Sequence, residues 1–388
     1  MGLEFSESEL KILKGVRDYI AEHTTPELIE ESMKGEYIYG GPESRKFFKE
    51  FAANGWLVPA WPEAYGGLGT SEILTYYIKH EFSLAAIPHS FAAAHMAGPM
   101  ILRYGSQVLK DKYLLRIARG EIEFNVAYSE PGAGSDLLSL KTSARDMGDH
   151  YLVNGQKVFS TFAHVADYCW LAVRTDPDAP NHQGISLMLV EMDAPGITVR
   201  PMWTMGGSRT NEVFLDDVII PKTGRIGEEN QGVKYIMGQL EFERMFPYGH
   251  HQRFFYTLVD TVKNDDRIVC DASTRRELAQ RRVELEVCKK LYFRLPEMLN
   301  KQQMPKYESA MSKLYVTEYG QQLAKTAMTL FGQYAQLTGE SPLAPAEGEA
   351  ELAYRASLAE TIYGGTSEIM RTLIAQRGLG LPRGRISE

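Results

Sequence analysis

The segment AYSEPGAGSD, residues 127–136, combines residue types that could bind an anionic ligand. A proline and two glycines favour an open loop, because glycine lacks a Cβ atom and lets backbone amides approach a ligand closely. Such amides form a concave set of donors suited to an anion such as a phosphate. Ser129 and Ser135 add two hydroxyl groups. We therefore predict an anion-binding loop, with a simple turn at a strand end as the alternative.

A second candidate for chemistry is the pair of glutamates in the segment MGQLEFERMF, Glu241 and Glu243. At 3.6 residues per helical turn, side chains two positions apart point about 200° apart, so only one of them can face a given ligand. A buried glutamate has a raised pKa and can remove a proton from a carbon acid. A solvated glutamate paired with a nearby lysine or arginine is the alternative.

Composition limits the classes of function. The 388 residues include 42 Lys and Arg against 50 Asp and Glu, which gives a net charge of −8 and argues against a nucleic-acid binder. The longest apolar stretch, residues 91–102, contains His95 and is too short to span a bilayer. We therefore expect neither nucleic acid nor a membrane as a partner.

Cysteines and histidines give no metal or disulfide pattern. Three cysteines form no close-spaced pair, so we expect free thiols and a cytoplasmic location. Nine histidines, including His250 and His251, have no ligand spacing with a carboxylate partner. Packing or surface roles are expected for them, and no metal site is predicted.

Hydrophobic patterns divide the chain into three parts, 1–122, 123–225 and 226–388. The first is helical and starts with a capping box formed by Ser6 and Glu9.

The middle part contains short strands separated by Asp, Pro and Gly. Within it, Asn154-Gly155 predicts the turn of a β-hairpin. The last part returns to helices, and residues 232–263, which include both glutamates, predict one long amphipathic helix.

Helical, β and helical parts in this order, together with the string SEPGAGSD, resemble the acyl-CoA dehydrogenase family over nearly the whole chain. The resemblance implies an α+β multidomain fold with an N-terminal helical domain, a middle antiparallel β domain and a C-terminal four-helix bundle. It also implies FAD as cofactor. Tyr128 and Ser129 would lie beside the pyrimidine edge of the flavin, and Gly134 and Ser135 would approach the FAD pyrophosphate and the pantetheine arm of CoA.

A second segment, Phe159-Ser160-Thr161, matches the family's aromatic-x-Thr segment. By the resemblance, Phe159 leans on the flavin ring and Thr161 hydrogen-bonds flavin N5, while Ser160 lies between them. A strand with one buried aromatic residue is the alternative. Many family members have Trp and Asn where this chain has Phe159 and Phe162.

The general base differs from the pattern in many family members, where a carboxylate precedes Gly-Thr in the C-terminal part. This chain has Gly364 there, followed by Gly365. In the isovaleryl and long-chain types a glutamate immediately before an arginine is the base, and Glu243-Arg244 matches it. We therefore predict Glu243 as base, with Arg244, Gly364 and Gly365 at the substrate and the Gly364 amide able to donate to the thioester carbonyl.

The C-terminal part carries further resemblance. The stretch FGQYAQ, which includes Gly332, partly matches the family segment that holds the FAD adenine end of a neighbouring subunit. Thr366 and Glu368 would touch FAD at the start of the last helix. Arg267 lies near the place of the arginine that reaches FAD across a dimer interface, but the Phe-Gly that follows it in the family is absent.

The resemblance implies FAD-dependent α,β-dehydrogenation of an acyl-CoA to the trans-2-enoyl-CoA in fatty acid or lipid metabolism. Electrons would pass to an electron-transfer flavoprotein, and the assembly would be a homotetramer. Three alternatives stay open: a flavin oxidase or monooxygenase of the same fold, a heterotetramer that shares FAD sites with a paralogue, and a non-catalytic partner subunit. The position of the glutamate hints at a branched or bulky acyl group, steroid-like chains among them.

Overall fold

The computed structural model describes residues 5–35, 40–87, 92–265 and 271–382. Its chain forms two compact units. The first consists of Met1–Thr75 and Ile87–Glu243, and the second of Tyr76–Ala86 and Arg244–Glu388. The chain therefore passes from one unit to the other between Glu243 and Arg244.

Helices precede the sheet in the first unit. They are α1 (Glu7–His23), α2 (Pro26–Met33), α3 (Pro42–Ala52), α4 (Glu72–Leu84, which the unit boundary divides), α5 (Gly98–Tyr104, preceded by a π-helical turn at Ala92–Ala97) and α6 (Gln107–Ala118). The predicted capping box is confirmed at α1, where the Ser6 hydroxyl accepts from the Glu9 amide and the Glu9 carboxylate accepts from the Ser6 amide. Leu13, Val16 and Ile20 lie on the buried face of α1, as their spacing predicts, but Leu10, predicted on the same face, is 52% exposed.

Eight strands form one sheet. They are β1 (Phe124–Ala127), β2 (Ser143–Asp146), β3 (His150–Lys157), β4 (Tyr168–Arg174), β5 (Ile185–Glu191), β6 (Ile197–Trp203), β7 (Arg209–Pro221) and β8 (Arg225–Ile226). The order is β6-β7-β3-β2-β4-β5-β8, and β1 pairs with β4. Most pairs are antiparallel, but β1 runs parallel to β4, and β2 meets β4 in parallel at Ser143 and Arg174. The parallel β1 strand brings residue 128 to the same edge as the end of β4.

The predicted hairpin turn at Asn154-Gly155 is wrong. Both residues lie inside β3, where the register against β7 shifts between Val153 and Gly155 and forms a bulge. Across this bulge, the Asn154 side-chain nitrogen donates to the Asp217 carboxylate, and the Asn154 side-chain oxygen accepts from the Asp217 backbone amide, both over 2.9 Å. The turn between β2 and β3 instead contains Gly148, whose φ of +99° suits glycine. Pairing with a distant strand therefore outweighed the local Asn-Gly preference.

Helix α7 (Gly232–Glu243) ends the first unit. The second unit contains α8 (Gly249–Lys263), α9 (Ala272–Asn300), α10 (Glu308–Phe331), α11 (Glu349–Glu360) and α12 (Ser367–Leu373), together with the second part of α4. The prediction of one helix over residues 232–263 is wrong, because the chain is not helical from Met245 to Tyr248. Pro247 lacks an amide hydrogen and disfavours helical geometry in the preceding residue, which explains the break.

Aromatic side chains build part of the core of the second unit. The Tyr292 hydroxyl is fully buried and donates to the backbone oxygen of Tyr76 over 2.9 Å. Its ring also contacts Tyr248 and Phe293 edge to face. Among the described residues, no helix is both long enough and apolar enough to cross a membrane.

The described cysteines are buried thiols without a disulfide. These are Cys169 in β4 and Cys288 in α9. Burial raises the pKa of Cys169 to about 12, so this thiol stays protonated at neutral pH. Cys270 lies outside the described residues.

The bulge at Gly155 gives a test of the sheet. A Cβ atom at Gly155 would lie 2.5 Å from the Thr142 hydroxyl and 2.8 Å from its Cα atom. Gly155→Ala should therefore lower the free energy of unfolding by about 1–3 kcal/mol, and the thermal midpoint by roughly 2–8 °C. Gly132→Ala is the matched control, since its Cβ atom would meet nothing within 4 Å. Equal midpoints for the two variants would contradict the bulge.

Candidate flavin and active site

The two predicted ligand segments are joined in the first unit. The signature loop, residues 127–136, begins at the end of β1, and the aromatic segment, residues 159–161, follows the end of β3. The Val158 amide donates to the Ser129 carbonyl over 2.9 Å, and the Lys157 ammonium donates to the Tyr128 carbonyl over 3.1 Å. Segments about thirty residues apart in sequence therefore form one surface.

A buried ion pair holds this junction. Lys157 is fully buried, and its ammonium lies 2.8 Å from the Glu130 carboxylate. Glu130 also accepts from the amides of Lys141 and Thr142, over 2.7 and 2.8 Å. Burial raises the pKa of the Glu130 carboxyl, but the Lys157 charge and these hydrogen bonds outweigh burial and lower it. Burial lowers the pKa of Lys157, and the charge of Glu130 offsets only part of this effect.

Sequence reasoning missed this pair as part of the site. Glu130 lies in the signature loop but was given no role, and Lys157 was treated as a strand residue. Lys157 lies on the same face of β3 as buried Tyr151 and Val153. This alternation was the available signal, because a lysine on a buried face needs a partner.

The signature loop is folded tightly at its start and open at its tip. Glu130 and Ala133 exchange two backbone hydrogen bonds of 3.0 and 3.1 Å. Gly134 and Ser135 are exposed, and a Cβ atom at Gly134 would meet nothing within 4 Å. The tip therefore presents amides and a hydroxyl to a ligand without steric obstruction.

Phe159 has an unusual conformation. Its φ is +55°, a region that side-chain-bearing residues rarely adopt, and 62% of the side chain is exposed. The segment is fixed from β7, because the Ser160 amide donates to the Asn211 carbonyl and the Asn211 side chain donates back to the Ser160 carbonyl, both over 2.9 Å. The prediction's alternative, a strand with a buried aromatic residue, is wrong. Phe159 is an exposed ring held in a strained backbone conformation, which is common at ligand sites.

The polar atoms beside Phe159 are also available to a ligand. The buried Ser160 hydroxyl has no hydrogen-bond partner in the part of the chain that the structure describes. The Thr161 hydroxyl lies 3.3 Å from the Thr210 hydroxyl, and either can be the donor. Buried polar atoms are nearly always satisfied, so the Ser160 hydroxyl points to an absent partner or a bound group.

Tyr128 connects the signature loop to helix α7. The Trp170 indole donates to the Tyr128 hydroxyl over 2.8 Å, and that hydroxyl donates to the buried side-chain oxygen of Gln239. Burial raises the pKa of Tyr128 well above its ordinary value, and the negative charge of Glu243 raises it further. The Glu243 carboxylate therefore lies within electrostatic reach of the signature loop.

The two candidate glutamates differ in exposure. Glu241 is buried at 8% exposure, and Glu243, the last residue of α7, is half-buried. Burial alone therefore does not select Glu243. Gln239 and Glu243 are one helical turn apart and share a face of α7, whereas Glu241 points to another direction.

Two cations hold the glycine turn, Gly364 and Gly365, in the second unit. The buried Arg244 guanidinium donates from Nε to the Gly364 carbonyl over 3.3 Å, and the buried Lys313 ammonium donates to the Gly365 carbonyl over 2.7 Å. Both glycines have positive φ, +65° and +103°. A Cβ atom at Gly365 would lie 2.5 Å from the Met370 methyl group. Because the peptide is trans, the Gly365 amide points away from Arg244.

The other C-terminal candidates also lie in the second unit. Thr366 caps α12 by accepting from the Ile369 amide over 3.2 Å. Glu368 is exposed, and hydrogen bonds from its own amide and from Thr366 lower its pKa. Gly332 follows α10 with a φ of +55° and open space beside it. Arg267 lies outside the described residues.

The structure thus brings the candidates together in two groups. The first unit contains Tyr128, Ser129, Gly134, Ser135, Phe159, Ser160, Thr161 and Glu243. The second unit contains Arg244, Gly332, Gly364, Gly365, Thr366 and Glu368. Lys313, which sequence reasoning missed, joins the second group through the Gly365 carbonyl.

Three family models match the chain in succession. The N-terminal domain model of acyl-CoA dehydrogenase matches residues 6–121, the middle domain model residues 125–218 and the C-terminal domain model residues 230–379. Together they cover most of the chain and both groups of candidate residues. The predicted order of a helical, a β and a second helical part is confirmed.

Relatives and solved structures agree with these matches. Acyl-CoA dehydrogenase FadE26 of Mycobacterium tuberculosis is 34% identical over 99% of both chains. The structure titled Tcur3481-Tcur3483 steroid ACAD superposes with a TM-score of 0.90 at 33% identity, over 99% of this chain and 100% of that chain. The ChsE4-ChsE5 complex from Mycobacterium tuberculosis gives 0.88 at 32% identity, over 99% and 100%. This chain therefore belongs to the acyl-CoA dehydrogenase family, and it is an FAD-dependent oxidoreductase that acts on acyl-CoA.

Proposed function

We propose that this enzyme converts an acyl-CoA to the trans-2-enoyl-CoA with Glu243 as the base that removes the Cα proton. The observation that carries the proposal is the position of Glu243 on α7, one turn after Gln239, whose side chain accepts a hydrogen bond from Tyr128 of the signature loop. The family resemblance of Glu243-Arg244 to the isovaleryl and long-chain types supports the same residue. Gly364 has no side chain and offers no base at the other family position.

The residues present fit FAD. Phe159 offers an exposed ring for the flavin, and the buried Ser160 hydroxyl lacks a partner within the protein. The open tip at Gly134 and Ser135 suits a phosphate. We propose that Tyr128, Ser129 and Thr161 hold the flavin and that Gly332, Thr366 and Glu368 contribute as in the family. Bound FAD supplies the acceptor for the hydrogen that leaves Cβ with its electron pair.

The protein's own part is to take the Cα proton and stabilise the charge that develops on the thioester. The Cα proton is weakly acidic, so hydrogen-bond donors on the thioester oxygen must strengthen as enolate character grows. We propose that amides of the glycine turn are these donors. Arg244 and Lys313 act as positioning residues, because they hold the turn's carbonyl groups and so fix where its amides point.

The substrate proposal is a bulky acyl-CoA, as in lipid metabolism. It rests on the base position and on similarity to a structure titled as a steroid acyl-CoA dehydrogenase. Two of the similar structures are complexes of two differently named chains, which favours a heteromeric assembly as the alternative to a homotetramer. We propose an electron-transfer flavoprotein as electron acceptor, a cytoplasmic location on the evidence of the cysteines, and the domain division at residues 122 and 225.

Other activities of the same fold have measurable signatures. An oxidase or monooxygenase would reoxidise its reduced flavin rapidly in air, whereas a dehydrogenase would need the flavoprotein acceptor. A non-catalytic partner subunit would stay colourless after addition of FAD. A mass measurement of the purified assembly, alone and with a coexpressed paralogue, separates a homotetramer from a heterotetramer.

The base assignment predicts the effect of Glu243→Gln. The variant should keep FAD, but substrate-dependent flavin bleaching should slow by roughly 10²–10⁴-fold because the amide cannot accept the Cα proton. Stopped-flow absorbance with an acyl-CoA found by screening measures this rate. Glu241→Gln is the matched control and should bleach within a few-fold of wild type. The reverse result would assign the base to Glu241 and reject the proposal.

The positioning role of Lys313 predicts a second effect. Lys313→Met removes the donor to the Gly365 carbonyl, so the turn should shift and the rate constant of flavin reduction should fall by about 10²-fold. FAD content and CoA affinity should change little. Lys325→Met, an exposed lysine on the same helix, is the control. Reduction at the wild-type rate in Lys313→Met, with the folded state verified by circular dichroism, would show that the turn needs no such anchor.

A further inference from the structure

Two adjacent histidines and a distant glutamate meet in the second unit. His250 and His251 begin α8, and Glu360 is the last residue of α11. The Nε2 atoms of His250 and His251 lie 3.3 and 3.2 Å from separate oxygens of the Glu360 carboxylate. One ligand atom from each residue lies within 4.8 Å of the other two. No residue of this His/Glu cluster was given a role in the flavin or active site above.

Two polar atoms of the cluster lack a hydrogen bond. The His251 side chain is only 6% exposed, and its Nε2 atom has no hydrogen-bond partner among the residues that the structure describes. The Oε2 atom of Glu360, which faces it, has none either. The two atoms lie 3.2 Å apart, within the distance of an ion pair. Buried polar atoms without partners are costly, so the pair favours a group that binds both.

The separations suit a tetrahedral cation. Zn²⁺ binds histidine nitrogen and carboxylate oxygen at about 2.0–2.2 Å, which places two ligands of a tetrahedral ion roughly 3.3 Å apart. The observed nitrogen–oxygen separations of 3.3 and 3.2 Å agree with this value. The ligand atoms of all three side chains lie within 4.8 Å of one another, which leaves them within reach of one ion.

The surroundings allow entry and fix the rings. The His250 side chain is about 40% exposed, which gives an ion access from solvent. Its Nδ1 atom lies 3.3 Å from the Ser83 hydroxyl, the type of outer contact that orients a histidine ligand. Gly320 makes room for the His251 ring, because a Cβ atom there would lie 2.3 Å from its Cε1 atom. The partial negative charge at the C-terminal end of α11 favours a cation, and the partial positive charge at the N-terminal end of α8 opposes it. Because these two effects have opposite signs, the attraction of a cation depends mainly on the negative charge of the carboxylate.

We propose that His250, His251 and Glu360 form a binding site for one divalent transition-metal cation of the Zn²⁺ class, with water completing the coordination. A ligand set of two imidazoles and one carboxylate binds Zn²⁺ in preference to Mg²⁺ or Ca²⁺, which favour ligands that are all oxygen. The ion would join the first turn of α8 to the last turn of α11. The proposal is independent of the base assignment.

The test measures Zn²⁺ binding to the FAD-loaded enzyme. Chelator-treated protein is titrated with ZnCl₂ in a calorimeter, and bound metal per chain is counted by mass spectrometry after desalting. One equivalent per chain should bind, and Zn²⁺ should raise the thermal midpoint. His251→Gln and Glu360→Gln should each weaken binding by at least about 10²-fold. His182→Gln, an exposed histidine in the β part, should bind like wild type.

Three results would overturn the proposal. The first is no binding by wild type above the level of the three-residue variant His250→Ala/His251→Gln/Glu360→Gln. The second is an equal loss of affinity in His182→Gln, which would mean adventitious surface binding. The third is a thermal midpoint that falls in Glu360→Gln but does not respond to Zn²⁺ in wild type, which would mean an ion pair only. If His251→Gln does not fold, His250→Ala at the half-exposed ligand replaces it and should weaken binding to the same degree.

Discussion

The buried ion pair between Lys157 and Glu130 is the interaction on which the positions of the signature loop and the aromatic segment depend. Lys157 also binds the Tyr128 carbonyl, and the Tyr128 hydroxyl binds Gln239 on α7, one turn before Glu243. A continuous series of polar contacts thus runs from the signature loop to the end of the helix that carries the proposed base. Removal of one charge from such a pair leaves the other buried without compensation, which typically costs several kcal/mol. The position of the signature loop and the position of Glu243 are therefore coupled within one unit.

In the second unit, the proposed oxyanion donors are backbone amides of the glycine turn. Where many relatives have a carboxylate, this chain has a glycine, and two buried cations bind the carbonyl groups of the glycine turn. Glycine at residue 364 also allows the φ of +65° without strain. The break at Pro247 ends α7 soon after Glu243, so the proposed base lies at a helix terminus rather than in the middle of a long helix. The proposed base and the proposed oxyanion donors therefore come from different parts of the chain.

Local signals in the sequence predicted the parts of the structure that local chemistry decides. The capping box at Ser6 and the ligand loop at residues 127–136 each depend on a few neighbouring residues. The Asn154-Gly155 turn failed because β3 pairs with β7, whose Asp217 lies 63 residues away. Glu360 and His250 are 110 residues apart, and no sequence spacing indicates their contact. Roles for Lys157 and Lys313 were missed for the same reason, since their partners are set by the tertiary fold.

If Glu243 removes the Cα proton of a bound acyl-CoA, it should also catalyse exchange of that proton with solvent. An acyl-CoA that binds but is oxidised slowly is incubated in D₂O with the FAD-loaded enzyme, and loss of the Cα proton signal is followed by NMR. We expect rapid exchange with wild type and none above background with Glu243→Gln, when both proteins are saturated with the acyl-CoA to the same degree. Exchange at the wild-type rate in that variant would contradict it.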